Sequence, residues 1–475
     1  MHFNNKLTAT LLIGAACATA SAQISVPDGI VELCDSLSDG AGLTYSDHAA
    51  NGNLYVFPDG TNGDLLTSIK YLGDATPPVI TTYDPSIFSG GVTGSTAFAG
   101  NTLVFGKWNS RNAPDFDTVS LQLYTLDSST GDLTESQSIH VPTNADRSPF
   151  VRPALSAEPG QFAISGGYVA GASSFTSTVY IYREDSSGWT LDGSFEGIAD
   201  KTIKALAIEG DTLIMGFSNE TVHMYVRDSA LGWVYDQNIP IASNDVLQSW
   251  NFGQTMEISG NLIAISDPRA VTDDTQLGEN ANSGAVFIYD YTNGVVTHST
   301  TLIEHDGSSN ASESSFGNSL DFSADGSSLA VCAQNFDVFS NEYWQSGVVF
   351  QYDTSDFSAY DEMYYDGDYE LNSVGSFALS AQFSGSNLTV WARNFTGGNC
   401  SNHTPAFLIY ENAVGIQPCN AADLASPNGV LNFFDVSAFL ALFNASDPAA
   451  DFNNDGVINF FDISSFLQIY NSGCP

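Results

Sequence analysis

The chain has 475 residues, 12 Lys+Arg against 54 Asp+Glu, and a net charge of −42 at pH 7. Hydrophobic residues make up 43% and aromatics 12%, enough for packed cores and too many for a disordered acidic tail. Only 14% of residues are charged, so the imbalance comes from scarce bases; such a surface repels phosphate, which excludes nucleic acid and anionic membranes and leaves divalent cations and neutral or cationic partners open.

Residues 1–22 read as a cleaved secretory signal. Lys6 supplies the positive start, Leu11 to Ala18 the short apolar run, and Ala20-Ser21-Ala22 the small-residue cleavage site. The run is too short to span a bilayer and no later segment is long and apolar enough, so the mature protein is expected to be secreted and not membrane-spanning. Five cysteines then remain: Cys34, Cys332, Cys400, Cys419 and Cys474. An oxidising compartment permits disulfides, and the odd count leaves at least one thiol unpaired. Cys419 and Cys474 bracket the last segment and are the expected pair, contributing about 4 kcal/mol in the chain-entropy model.

From Ile24 to Ile416 there is almost no helical periodicity. Short β-branched and aromatic runs alternate with Gly, Asn, Asp and Ser, the pattern of many short strands. The unit repeats: a Gly-Asn or Gly-Asp turn, an apolar strand, a polar loop, then a strand rich in Tyr, Val and Ile. The clearest copies start at Phe252-Gly253 and Phe316-Gly317 and reach Ser283-Gly284-Ala285-Val286-Phe287-Ile288-Tyr289 and Ser346-Gly347-Val348-Val349-Phe350-Gln351-Tyr352. Seven anchor positions, Leu54, Leu103, Phe162, Leu213, Leu262, Leu329 and Leu388, follow one another at 49 to 67 residues. Each period suffices for one four-stranded sheet that must pack against its neighbours, so residues 23–416 are expected to close as a seven-bladed β-propeller. A β-sandwich pair and a β-helix are the competing readings.

These units resemble the FG-GAP repeats of integrin-α-type propellers, on the strength of Phe252-Gly253, Phe316-Gly317 and the two Gly-Ala/Val-Val-Phe-x-Tyr strands. Many propellers of that family hold calcium through an Asp-x-Asp-x-Asp-Gly loop. The corresponding stretches here, Asp267 to Ser283 and Asn335 to Ser346, lack that spacing. No nucleophile elbow, metalloprotease helix, Cys/His metal spacing or phosphate loop occurs. His48, His223, His298 and His305 could meet in a propeller channel, although surface positions are the plainer expectation. The Tyr360–Tyr369 segment reads as an outer strand and its turn, or else as a sugar-stacking platform.

Composition changes after Gln417-Pro418. Leu431-Asn432-Phe433-Phe434-Asp435-Val436-Ser437-Ala438-Phe439-Leu440 returns 27 residues later as Ile458-Asn459-Phe460-Phe461-Asp462-Ile463-Ser464-Ser465-Phe466-Leu467, with seven of ten positions identical. The second copy places Asp451, Asn453, Asp455, Asn459 and Asp462 at positions 1, 3, 5, 9 and 12 of an EF-hand-type loop, with Gly456 at 6 and the Val457 carbonyl at 7. This all-oxygen set points to Ca2+. Ile463, Phe466, Leu467 and Tyr470, like Val436, Phe439, Leu440 and Phe443, fall at helical spacing, so each loop is expected to run into a helix. Asp447-Pro448 leaves no room for a helix leading into the second loop. In the first copy Asp423 lies one residue too far upstream and Pro427 is inserted, so weak calcium binding or none is expected there.

A duplicated calcium loop with only an exit helix resembles the dockerin domain, over residues 419–475. The resemblance implies a small α-helical dockerin-like C-terminal domain on an otherwise mainly β chain, anchoring it to a cohesin-like or cell-surface partner. Phe433, Phe434, Phe460 and Phe461 are candidate partner-binding residues, with at least one of each pair expected to fill the small core instead. Two functions stay open: a non-catalytic propeller recognising a protein or glycan ligand, or a dockerin-borne polysaccharide-degrading enzyme, a glycoside hydrolase or lyase, with its site at the propeller mouth.

Overall fold

In a computed structural model, the structure describes residues 24–25, 29–32, 48–59, 65–71, 78–83, 95–108, 118–142, 154–165, 176–242, 246–272, 283–303, 314–336, 347–358, 360–363, 378–385, 387–395, 404–410, 413, 420–422, 424, 431, 433–445, 450–453 and 457–472. The chain divides between Gln417 and Pro418 into two compact units. The signal sequence at 1–22 lies outside the described residues.

The larger unit is a seven-bladed β-propeller. Blade 1 is built from Ala49–Asn51, Leu54–Asp59, Leu65–Lys70 and Val79–Tyr83, each pairing antiparallel with the next. Blades 2, 3 and 4 repeat this meander from Ser95 to Pro142, Leu155 to Ala199 and Ile203 to Ile239. Blade 5 comprises Met256–Ser259, Leu262–Asp267, Ala285–Thr292 and Val295–Ile303. Blade 6 comprises Phe316–Phe322, Ser328–Ala333, Val348–Asp353 and Tyr360–Met363, with Ile24–Ser25 added in parallel at its edge.

Among the described residues blade 7 has three strands from its own stretch, Ser380–Ser384, Asn387–Phe395 and Thr404–Tyr410; Gly29–Glu32 supplies the fourth, pairing Ile30 with Leu408 and Val31 with Phe407. The first strand of each blade packs on the first strand of the next, and blade 7 returns to blade 1, which closes the ring. All seven anchor residues lie in the second strand of their blade. These strands are buried on both faces, so they read as continuous apolar runs.

The Phe-Gly and Val-Phe-x-Tyr motifs meet in space. Phe252 packs edge-on to Phe287 at 5.5 Å, and Phe316 to Phe350 at 5.4 Å, all fully or almost fully buried. Gly284 sits against the Phe-Gly turn of the next blade: a Cβ there would lie 2.3 Å from the Phe316 carbonyl oxygen, so only glycine fits. At the seam between blades 7 and 1, Trp391 and Phe407 pack with Tyr55, Phe57 and Ile69.

The two ends of the propeller differ. First and second strands are joined at one end by tight turns, where Gly52, Gly100, Gly210, Gly260 and Gly385 take φ between +56° and +63°, available to glycine without a Cβ clash. The connections from second to third strand, and from one blade to the next, lie at the other end. They include the described residues 240–242, 246–255, 268–272 and 283–284.

The smaller unit carries helices α1 (Phe433–Ala445) and α2 (Phe460–Ser472), each starting at the third residue of a repeated motif and covering the residues at helical spacing. Phe439 and Phe466, the same position in the two repeats, stack at 4.1 Å with ring planes 5° apart, and Phe452 meets both rings edge-on. Ala422, Ala450, Leu431, Ile458, Val436 and Ile463 complete this core. Among the described residues no helix is long and apolar enough to cross a membrane.

Candidate functional site

In the C-terminal loop, Asn459 is the N-cap of α2: its Oδ1 accepts the Phe461 N–H at 2.8 Å. Asp462 answers from the third helical position, its Oδ2 accepting the Asn459 N–H at 2.7 Å, which makes a capping box. Its Oδ1 accepts the Asn453 N–H at 3.3 Å from across the loop, and Asn459 Nδ2 donates to the Val457 carbonyl at 2.8 Å. Asn453, Val457, Asn459 and Asp462 are thus linked by hydrogen bonds within the loop. These N–H groups, that of Asn459 first, hold the Asp462 carboxyl below the usual range. Asp462 is enclosed, and the donor set is all oxygen, which suits a hard cation such as calcium. Asp455 lies outside the described residues, and among those described no three His, Cys, Asp or Glu side chains group as a metal site. In the first repeat, Asp435 is equally enclosed and its Oδ1 accepts the Leu424 N–H at 2.8 Å.

Phe460 and Phe461 are 71% and 67% exposed. The expectation that one of this pair fills the core is therefore wrong: Phe466 and Phe452 take that place, and both residues of the pair face outward at the start of α2. Helices α1 and α2 place Phe433 and Phe434 at the equivalent position, but their side chains lie outside what is described, as do Cys419 and Cys474 of the expected disulfide. Cys332 is a free, fully buried thiol in blade 6 whose pKa is pushed up by burial, and Cys34 and Cys400 lie outside the described residues.

The propeller holds a set of acids that no linear motif announced. Glu158, Glu209, Glu257 and Asp321 lie on the first, innermost strands of blades 3, 4, 5 and 6. Glu158 Oε1 accepts the N–H of Gly210 in blade 4, and Glu209 Oε2 that of Gly260 in blade 5, both at 2.7 Å. Asp321 Oδ2 accepts the Phe383 N–H of blade 7. In blade 1, Asn51 makes the same link with reversed polarity, its Nδ2 donating to the Gly100 carbonyl at 2.8 Å. These are latches from one blade to the next, and three of them stand immediately before or at the tight turn that ends the innermost strand. Their only sequence signal is a polar residue ahead of that turn.

Burial pushes the Asp321 carboxyl up to about 8. Burial, then the Asp321 and Glu209 charges, pushes Glu257 well above the carboxylate range. Glu209 is also raised, by burial first, against the Gly260 N–H that favours its charge. Glu257 differs from the others in having no hydrogen bond among the described residues.

The histidines do not converge. His48 bonds Ser380 through Nδ1 at 2.9 Å where blades 1 and 7 meet, His223 is on the third strand of blade 4, and His298 is exposed on the outer strand of blade 5. His305 lies outside the described residues. Tyr360–Met363 forms the outer strand of blade 6, with Tyr360 packed on Phe350 and Tyr352, so that part of the aromatic segment is structural. Asp267, at the start of the stretch without calcium spacing, is fully buried and accepts the N–H groups of Trp250, Asn251 and Arg269 at 3.0, 3.0 and 3.1 Å and the Ser249 hydroxyl.

No family model matches the chain, and no curated protein matches it. Solved structures match on fold. Saccharomyces cerevisiae Sqt1 is 12% identical over 82% of this chain and 99% of that one, with a TM-score of 0.46. Chaetomium thermophilum Raptor is 8% identical over 83% of this chain and 29% of that one, at 0.47. A chain of the Mitotic Checkpoint Complex is 11% identical over 86% and 99%, at 0.46. At this level of likeness nothing about function passes from them to this chain.

Proposed function

We propose that this is a secreted, non-catalytic propeller that recognises a protein or glycan ligand and is tethered through a calcium-dependent, dockerin-like module to a cohesin-like or cell-surface partner. The observation that carries the non-catalytic reading is the use of the inner carboxylates. Glu158, Glu209 and Asp321 each hold a backbone N–H of a neighbouring blade, so their positions are explained by closure of the ring. The tether is supported by the paired, exposed Phe460 and Phe461 beside a loop of oxygen donors, since exposed aromatics next to a rigid element are typical interface anchors. Calcium held by Asp451, Asn453, Asp455, the Val457 carbonyl, Asn459 and Asp462 would fix the loop against α2 and so fix the direction of that pair.

Calorimetric titration of the mature chain with calcium tests the tether. Wild type should bind, and Asp451→Ala combined with Asp455→Ala should not; undiminished binding by the double variant rejects the loop assignment. One observation favours the enzyme reading as its rival: Glu257 has no hydrogen bond among the described residues, stands beside Asp321, and both are pushed towards the protonated form, as general acids are. Sugar release from a polysaccharide, lost in Glu257→Gln, would establish that reading in place of the first.

A further inference from the structure

We infer that Trp250 is the stacking platform of a binding site for a neutral saccharide, at the long-connection end of blades 4 and 5. The inference rests on the ligand-recognition reading above and gives its site and ligand chemistry.

Trp250 is 52% exposed, whereas Trp189 and Trp391 are buried in the propeller. Its backbone is nevertheless immobilised. The buried Asp267 carboxylate accepts from Ser249, Trp250 and Asn251, three consecutive residues, and from Arg269 on the other arm. Val246–Gln248 pairs with Val271–Thr272 as a small separate sheet, which braces the loop from its preceding side. Connecting blades does not require this structure, because residues 200–202 alone carry the chain from blade 3 to blade 4. The buried Asp267 carboxylate at the end of the second strand of blade 5, and the sheet that Val246–Gln248 forms with Val271–Thr272, thus fix the backbone that presents one large aromatic side chain to water. An aromatic held in this way loses little entropy on binding.

The neighbours select the ligand class. Asn251 Oδ1 accepts from Lys204 Nζ at 3.4 Å, and Lys204 is half-buried at the start of the innermost strand of blade 4. Among the described residues Lys204 forms no ion pair, and burial lowers its pKa, with the Glu220 and Asp267 charges acting the other way. Two of its three donors are unused by that bond. Arg269, whose backbone N–H is also held by Asp267, is exposed. The loop that carries the indole thus also carries an amide, Asn251, which holds the Lys204 ammonium, and its backbone is bonded to the Asp267 carboxylate. A protein partner would need several apolar anchors over roughly 800 Å². An anion would meet the net charge of −42 with the local bases already offset by Glu220 and Asp267. A pyranose ring fits both constraints, with its C–H face on the indole and its hydroxyls on Lys204 and Asn251.

Affinity electrophoresis of the mature protein in gels containing β-glucan, xylan, mannan or alginate tests this. At least one neutral polysaccharide should retard wild type, and Trp250→Ala should weaken that retardation about tenfold or more, with Trp250→Phe intermediate and the thermal midpoint unchanged. Retardation by none of the neutral gels, retardation by alginate alone, or equal retardation of Trp250→Ala overturns the inference. Equal retardation of the variant would leave the ligand-recognition reading in place with its site elsewhere. Sugar release by wild type would instead overturn the non-catalytic reading, while loss of retardation in Trp250→Ala would still support the Trp250 site.

Discussion

The propeller and the C-terminal module are both built from repeats, and they join them in different ways. In the module the two copies meet like on like: Phe439 stacks on Phe466, its own counterpart. In the propeller each blade meets the next through different faces, as where Gly284 of blade 5 receives Phe316 of blade 6. The first arrangement is isologous and the second heterologous. An isologous contact constrains both copies to the same residue, which suits the seven-in-ten identity of the repeated motif. A heterologous contact requires only that each face fit its neighbour, so blades can diverge pair by pair, and only blades 5 and 6 retain a readable common motif.

The strongest way to break this comparison is Phe439→Ala. Removing a stacked core aromatic costs about 3–5 kcal/mol, comparable to the whole stability of so small a unit. Limited proteolysis should then cut within residues 419–475 while the propeller survives; an intact module would show that the like-on-like contact is not its core. Trp391→Ala applies a cost of the same size, about 3–5 kcal/mol, to the seam between blades 7 and 1. A much larger propeller should absorb it as a lowered thermal midpoint without loss of fold, and an unchanged midpoint would contradict the tight packing of that seam.

A smaller effect should come from pH. The unfolded chain releases the Asp321 proton near the ordinary value of 3.8, whereas the folded chain keeps it up to about 8. The folded state therefore binds more protons across that window, and stability should fall as pH rises from 4 to 8. Glu257 acts in the same direction. Asp192 and Asp325, whose pKa values are lowered by their hydrogen bonds, act oppositely, and their contribution is lost only as pH falls below the ordinary carboxylate value. Chemical denaturation at pH 5 and pH 8 should show the propeller more stable at pH 5, and Asp321→Asn, which can still accept from Phe383, should reduce the difference. The smallest effect is expected from Glu209→Gln, which preserves an acceptor for the Gly260 N–H and should change stability by no more than about 0.5 kcal/mol. Glu209→Ala removes the acceptor and should cost about 0.5–1.5 kcal/mol. Equal midpoints for the two variants would remove the latch from the account.

The blade count was legible because every second strand is buried on both sides, so Leu54, Leu103, Phe162, Leu213, Leu262, Leu329 and Leu388 all stand in apolar runs. The helices of the module were legible from their apolar spacing. Ring closure by Gly29–Glu32 was not, because its partner strand at Thr404–Tyr410 is nearly the whole chain away. The inner carboxylates were hidden for a related reason. Glu209 bonds a residue 51 positions on and Asp321 one 62 positions on, and a partner at that distance leaves no local pattern. The capping box of Asn459 and Asp462 uses the residues that the proposed calcium loop would carry at positions 9 and 12, so the spacing read there as an ion site also starts the helix.

The central claim is that the propeller binds without turning over its ligand. Incubating the mature protein with β-glucan, xylan, mannan and alginate and measuring released reducing ends and unsaturated products tests it most directly. The account predicts no release above a heat-inactivated control, with or without calcium. Release that persists through purification and is abolished by Glu257→Gln would contradict it.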